Sequence, residues 1–131
     1  MHFEFDPALP IYQQLIDTIK RAVVRGELAP GDRIPSQREL AQEARVNPNT
    51  VQRAYREMEQ IGLVETARGM GTFIGRAPDL IPRLRREMAE AAVRRFVQEM
   101  RALGLDNATA LELVAAGLTS TAADESEGSC K

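Results

Sequence analysis

The sequence predicts a mainly α-helical protein: a three-helix domain completed by a small β-hairpin, then a short unit of two helices. Three observations carry that reading. Helix-start chemistry occurs twice in close succession, at Ser36 and at Asn47-Pro48. Residues 63–74 hold two short extended runs around glycines, and residues 84–103 repeat an apolar side chain at helical spacing.

The first segment, MHFEFDPALP, is short and extended, an arm or a strand, with Phe3 and Phe5 alternating against polar neighbours. From Ile11, the positions Tyr12, Leu15, Ile16, Ile19 and Val23 recur at helical spacing until Gly26. They make an amphipathic helix whose apolar face needs a partner. In GELAPGDRIPS, Pro30-Gly31 makes a turn and Ile34 can form a short strand. Ser36 and Glu39 then form an S-x-x-E capping box, in which hydroxyl and carboxylate satisfy backbone N–H groups left open at a helix start. This helix turns Leu40, Ala41 and Ala44 inward and breaks near Arg45-Val46. Asn47 caps the next helix, and Pro48 takes its first position, where a missing N–H does no harm. The spacing is that of a helix-turn-helix.

The helix from Pro48 to about Ile61 sorts its residues by face. Val51, Ala54, Tyr55, Met58 and Ile61 share one side, and Asn49, Gln52, Arg53 and Arg56 stand opposite. Amides pair bidentately with adenine and arginine with guanine, and the first turns of a recognition helix reach base edges in the major groove. After Gly62, Leu63–Thr66 and Thr72–Ile74 read as the strands of a wing with Arg68 at its tip, flanked by Gly69 and Gly71. An arginine so placed can enter a narrow A·T-rich minor groove. The GMG stretch is no phosphate loop, since it lacks the spacing and the lysine.

Ala77-Pro78-Asp79 reads as a linker, and Pro82 lies in the first turn of a long helix to about Leu103. Its stripe of Leu84, Met88, Ala92, Phe96, Met100 and Leu103 keeps one face, which predicts a seam between two copies of the chain. Gly104 ends that helix, and Asp106 or Asn107 caps another through Leu118. The expected division is therefore residues 1–76, a winged helix-turn-helix; 77–118, a helical dimerisation unit; and 119–131, a small polar tail expected to be disordered.

At 131 residues the chain can bury one core, and 44% hydrophobic with 27% charged residues is ordinary for a soluble globular protein. No apolar run approaches the roughly 20 residues needed to cross a bilayer, and no signal peptide is evident. The single cysteine, Cys130, forbids an intrachain disulfide and fits a reducing cytoplasm. With His2 the only histidine, nothing supports a metal site or a Cys/His catalytic pair, and no cofactor is expected. The carboxylates are scattered over helix faces, which argues against acid–base catalysis. Net charge is −2, yet residues 1–76 carry ten basic and ten acidic groups, so the acidic excess lies in the second part. Arg38, Arg45, Arg53, Arg56 and Arg68 gather in and just after the helix-turn-helix, where they can meet phosphates.

These residues resemble the winged helix-turn-helix of the GntR superfamily of bacterial transcription regulators, most closely its YtrA-like branch. The resemblance covers about residues 8–75 and rests on PIYQQL at 10–15, LAPGDRIPSQRELA at 28–41, VNPNTVQRAYREME at 46–59 and GLVETARGMGTFI at 62–74. It implies DNA contacts from Arg38, Asn47, Asn49, Thr50, Gln52 and the Arg68-Gly69 wing, with Ser36 contacting phosphate while capping its helix. Pro48 departs from the arginine or serine of many members and passes base reading to its neighbours. Arg53 and Arg56 lie further along the helix, where phosphate is the expected partner. The resemblance further implies a homodimeric repressor on double-stranded DNA. It has about 55 residues after the wing, where the wider family carries a large effector domain, so a small-molecule effector is not readable. The rival reading is a winged helix that docks protein without DNA; Asn47, Asn49 and Gln52 favour DNA.

Overall fold

A computed structural model of the protein describes residues 3–129. His2 and Cys130, on which the metal and disulfide expectations turn, lie outside the described residues. The elements run α1 (Ile11–Val24), β1 (Arg33–Ile34), α2 (Gln37–Ala44), α3 (Pro48–Gln60), β2 (Val64–Ala67), β3 (Gly71–Ile74), α4 (Leu80–Ala102) and α5 (Asn107–Ser129). The chain forms two compact units, one through Arg86 and one from Glu87.

In the first unit α1 and α2 both pack on α3, because each brings an apolar face at helical spacing. Leu15, Ile19 and Val23 of α1 meet Leu40 of α2 and Val51, Tyr55 and Met58 of α3 in one core, each nearly inaccessible to solvent. Burying each such side chain contributes about 1.5–3 kcal/mol. The wing is the β2–β3 hairpin, and β1 joins its far edge, giving an antiparallel sheet of order β1-β3-β2 with Ile34 opposite Thr72. Among the described residues the arm forms no strand. Phe3 and Phe5 stack with ring centroids 5.9 Å apart and pack against the core. The Gln14 side chain pins the arm, accepting from the Asp6 amide and donating to the Asp6 carbonyl, each at 2.8 Å.

Helix ends follow the local chemistry. Ser36 Oγ accepts from the Glu39 amide at 3.1 Å, and Asn47 Oδ1 from the Asn49 amide at 2.8 Å. Gly62, with φ 78°, closes α3: its amide donates to the Glu59 carbonyl and that of Leu63 to Met58. Gly75 lies against this turn so closely that a Cβ there would sit 2.3 Å from the Gly62 carbonyl oxygen.

Two elements reach further along the chain than the division read from the sequence. The boundary falls after Arg86, not after residue 76, because the first two turns of α4 belong to the winged core: Leu80 is 0% and Leu84 2% exposed, and Arg83 donates to the Ile61 carbonyl at 2.8 Å. Leu84 is thus a core residue of the first unit rather than part of an intermolecular seam. Among the described residues α5 runs past Leu118 through Ser129. Ala122, Ala123, Glu125 and Glu127 are favourable helix residues, no proline interrupts them, and Thr119 bonds back to the Ala115 carbonyl. Asp106, rather than Asn107, caps α5 by accepting from the Thr109 amide at 2.8 Å; a hydrogen bond from the Thr109 side chain, together with that amide, holds its carboxyl below the usual range.

Candidate nucleic-acid interface

The two caps place the starts of α2 and α3 side by side. An open concavity of about 650 Å³ lies between them, lined by Gln37, Arg38, Gln42, Pro48, Asn49 and Gln52 over a floor of Ala41 and Val46. Arg38, Asn49 and Gln52, chosen from sequence on different helices, therefore converge on one surface. The two amides there can read base edges and the guanidinium beside them can meet phosphate, while Pro48 supplies shape without a donor. Ser36 is half-buried at its cap, and Thr50 is half-buried in the first turn of α3. Asn47 uses its carbonyl oxygen in the cap, so its amide NH2 is the group left for a ligand.

A part-buried bond ties α3 to the chain leading into α2. The Tyr55 hydroxyl donates to the Pro35 carbonyl just ahead of α2. Burial, with Glu39 and Glu43 adding, pushes the Tyr55 phenol well above its ordinary pKa, so it remains a donor.

Arg53 and Arg56 stand apart from the concavity. Arg56 is exposed on the same helix. Arg53 lies on the α1 side, with its guanidinium carbon 3.8 Å from the centroid of the Tyr12 ring and Nη2 donating to the Tyr12 hydroxyl at 3.1 Å. At the wing tip, Arg68, Gly69 and Met70 are all exposed, and the Met70 amide donates to the Ala67 carbonyl at 2.9 Å. Gly69 has φ 79° with open space where a Cβ would stand, so its backbone conformation, not crowding, calls for glycine there.

Sequence reasoning missed Gln37 and Gln42, whose places on α2 become meaningful only once α3 lies beside them. It also read Tyr12 as core alone. Among the described residues no group of three or more His, Cys, Asp or Glu is placed to hold a metal, and no helix is long and apolar enough to cross a membrane.

In the second unit, Met88, Phe96 and Met100 are half-buried, while Ala92 and Leu103 are exposed, with Leu103 just past the end of α4. Ala92, Phe96 and Met100 line an apolar groove of about 660 Å³ together with Val93, Val97 and Leu111, which the sequence stripe omitted.

Residues 11–74 match the family of bacterial regulatory proteins, gntR family. The HTH-type transcriptional regulator YhcF of Bacillus subtilis is 45% identical over 112 residues, covering 86% of this chain and 93% of that protein. The HTH-type transcriptional repressor YtrA of the same organism is 48% identical over 73 residues, 54% of this chain and 56% of YtrA. Among solved structures, a GntR family transcriptional regulator from Listeria monocytogenes superposes with a TM-score of 0.76 at 35% identity, covering 85% of this chain and 97% of that one.

Proposed function

Because this chain belongs to the gntR family of bacterial regulatory proteins and is a DNA-binding transcriptional regulator, not an enzyme, we propose that it is a cytoplasmic repressor that binds a two-fold symmetric operator as a homodimer. The observation that carries the reading is the convergence of Arg38, Asn49 and Gln52 on one concave surface at the start of the recognition helix α3. Asn49 and Gln52 read base edges, Arg38, Ser36 and Arg56 meet phosphates, and Arg68-Gly69 enters the flanking minor groove. The repressor sense rests on similarity to YtrA, which bears that description.

Dimerisation is supported by the second unit, where Leu111 is 70% and Val93 59% exposed around the apolar groove. Monomeric soluble proteins rarely leave contiguous apolar patches much beyond a few hundred Å² uncovered. A second copy covers them isologously and aligns two reading heads with a symmetric site.

Sequencing the fragments retained from random duplex DNA tests the reading, and a two-fold symmetric consensus is expected. On it, Asn49→Ala or Gln52→Ala costs about 1–3 kcal/mol and relaxes preference at one position per half-site, whereas Arg56→Ala weakens all duplexes alike. Equal losses on consensus and random duplex for all three would remove the assigned roles. Failure to retain any duplex would favour a protein-docking module.

A further inference from the structure

Gln52 and Arg53 are neighbours in sequence but point about 100° apart around α3. Gln52 lines the concavity shared with α2, while Arg53 is held against α1. The outer face of the recognition helix is thus bracketed by a guanidinium on each flank, Arg38 on the α2 side and Arg53 on the α1 side. A helix in the major groove, roughly 12 Å wide, has a phosphate backbone on either side of it.

The α1 flank is built more firmly than a solvated surface arginine requires. Tyr12 packs against the hydrophobic core, so its ring is a fixed platform. Arg53 stacks on that ring at 3.8 Å and donates Nη2 to its hydroxyl. Gln13 Nε2 donates to the same hydroxyl at 3.1 Å, and Glu57 stands 4.0 Å from Arg53 Nε. The hydroxyl accepts two bonds and keeps its own proton to donate. Arg53 is nonetheless 61% exposed and retains N–H donors beyond those contacts. A guanidinium held in this way loses little rotamer entropy on binding, and one tied back on a ring must leave it to reach a base edge.

We infer that Tyr12 and Arg53 form a preformed phosphate contact for the DNA strand on the α1 flank, with Arg53 as the binding group and Tyr12 as its positioning residue. The inference rests on the DNA reading above and adds to it a backbone contact on the α1 flank. Arg53 supplies affinity for any duplex rather than base preference, and Tyr12 acts through Arg53.

Binding of Tyr12→Leu, Tyr12→Phe, Arg53→Gln and Tyr12→Leu/Arg53→Gln is measured against salt on a selected duplex and a random one, with thermal unfolding alongside. Arg53→Gln is expected to weaken both duplexes roughly 10-fold and to flatten the slope of log affinity against log salt by about 0.9. Tyr12→Leu should weaken both roughly 3-fold with the slope retained, Tyr12→Phe, which keeps the stack, should bind closer to the parent, and the double variant should bind no worse than Arg53→Gln. An unchanged slope in Arg53→Gln, losses that add in the double variant, or lowered melting with unchanged DNA binding would each overturn the inference and leave the pair as a tie between α1 and α3. If Asn49→Ala still loses base preference in those cases, only the role of this pair falls. If the parent protein retains no duplex at all, the DNA reading falls with it.

Discussion

The two units of this chain dispose of their apolar side chains in opposite ways. Up to Arg86, apolar side chains close almost completely around α3, Tyr55 and Met58 among them. From Glu87 to residue 120 no side chain is buried, and Val93, Leu103, Leu111, Leu113 and Leu118 are each more than half exposed. The first unit closes its own core, whereas the second leaves its apolar side chains exposed. Stability and assembly should therefore respond to different substitutions.

The largest expected effect comes from the second unit. Phe96→Glu places a charge in the apolar groove and should convert a dimer to a monomer by light scattering, leaving unfolding of the winged unit unchanged. Losing the link between two reading heads should lower affinity for a symmetric operator by roughly 10²–10⁴. A Glu variant that stays dimeric would show that the groove is not the seam. A fragment is informative only if it ends beyond Leu84, since one ending at residue 76 would also lack the core residues Leu80 and Leu84.

The converse substitution is Leu84→Ala. Removing this 2%-exposed side chain should destabilise the winged unit by about 2–5 kcal/mol in denaturant unfolding, at any protein concentration. Equal sensitivity to dilution in Leu84→Ala and Phe96→Glu would erase the contrast between the units.

Sequence pattern made local chemistry legible and left long-range partnership obscure. Ser36, Asn47-Pro48 and Gly62 act on backbone groups a few residues away, so their roles could be read directly, and the structure places each at the helix end it marks. Leu84 shares the period of Met88 and Phe96, and a period tells which residues share a face without telling what that face meets. Tyr12 joined the core stripe of α1 for the same reason, although its ring also carries Arg53 from α3. The pairing of Ile34 with Thr72 was equally non-local: the strand was legible, but its partner was not.

A smaller effect sharpens the picture of the first unit. Tyr55→Phe leaves the Pro35 carbonyl without its donor and should cost about 1 kcal/mol. The pH dependence has a definite sign. The folded pKa lies above the unfolded value of 10.0, so this contribution is fully present below about pH 10 and is lost as pH rises beyond it, when the unfolded chain ionises first. Denaturant melts of parent and Phe variant should therefore converge above pH 10; parallel curves would show that the phenol does not govern the alkaline loss.

The smallest effect compares helix ends across the two units. Four helices leave through a left-handed residue: α1 at Gly26 with φ 82°, α2 at Arg45 with φ 56°, α3 at Gly62 with φ 78° and α4 at Gly104 with φ 80°. At α2 the Val46 amide donates to the Ala41 carbonyl, and at α4 the Leu105 amide reaches Met100 in the same pattern. A side chain in that conformation costs about 1–2 kcal/mol, while glycine gives back about 0.5–1 kcal/mol through its more flexible unfolded chain. Arg45→Gly should thus stabilise the winged unit by up to about 1 kcal/mol. Nothing lies within 4 Å of a Cβ placed at Gly104, so Gly104→Arg should carry a conformational penalty of similar size in the second unit and no steric one. Calorimetry on both variants checks the pair. A destabilised Arg45→Gly would mean that the arginine makes contacts worth more than its backbone strain, and the symmetry between the two helix exits would not hold.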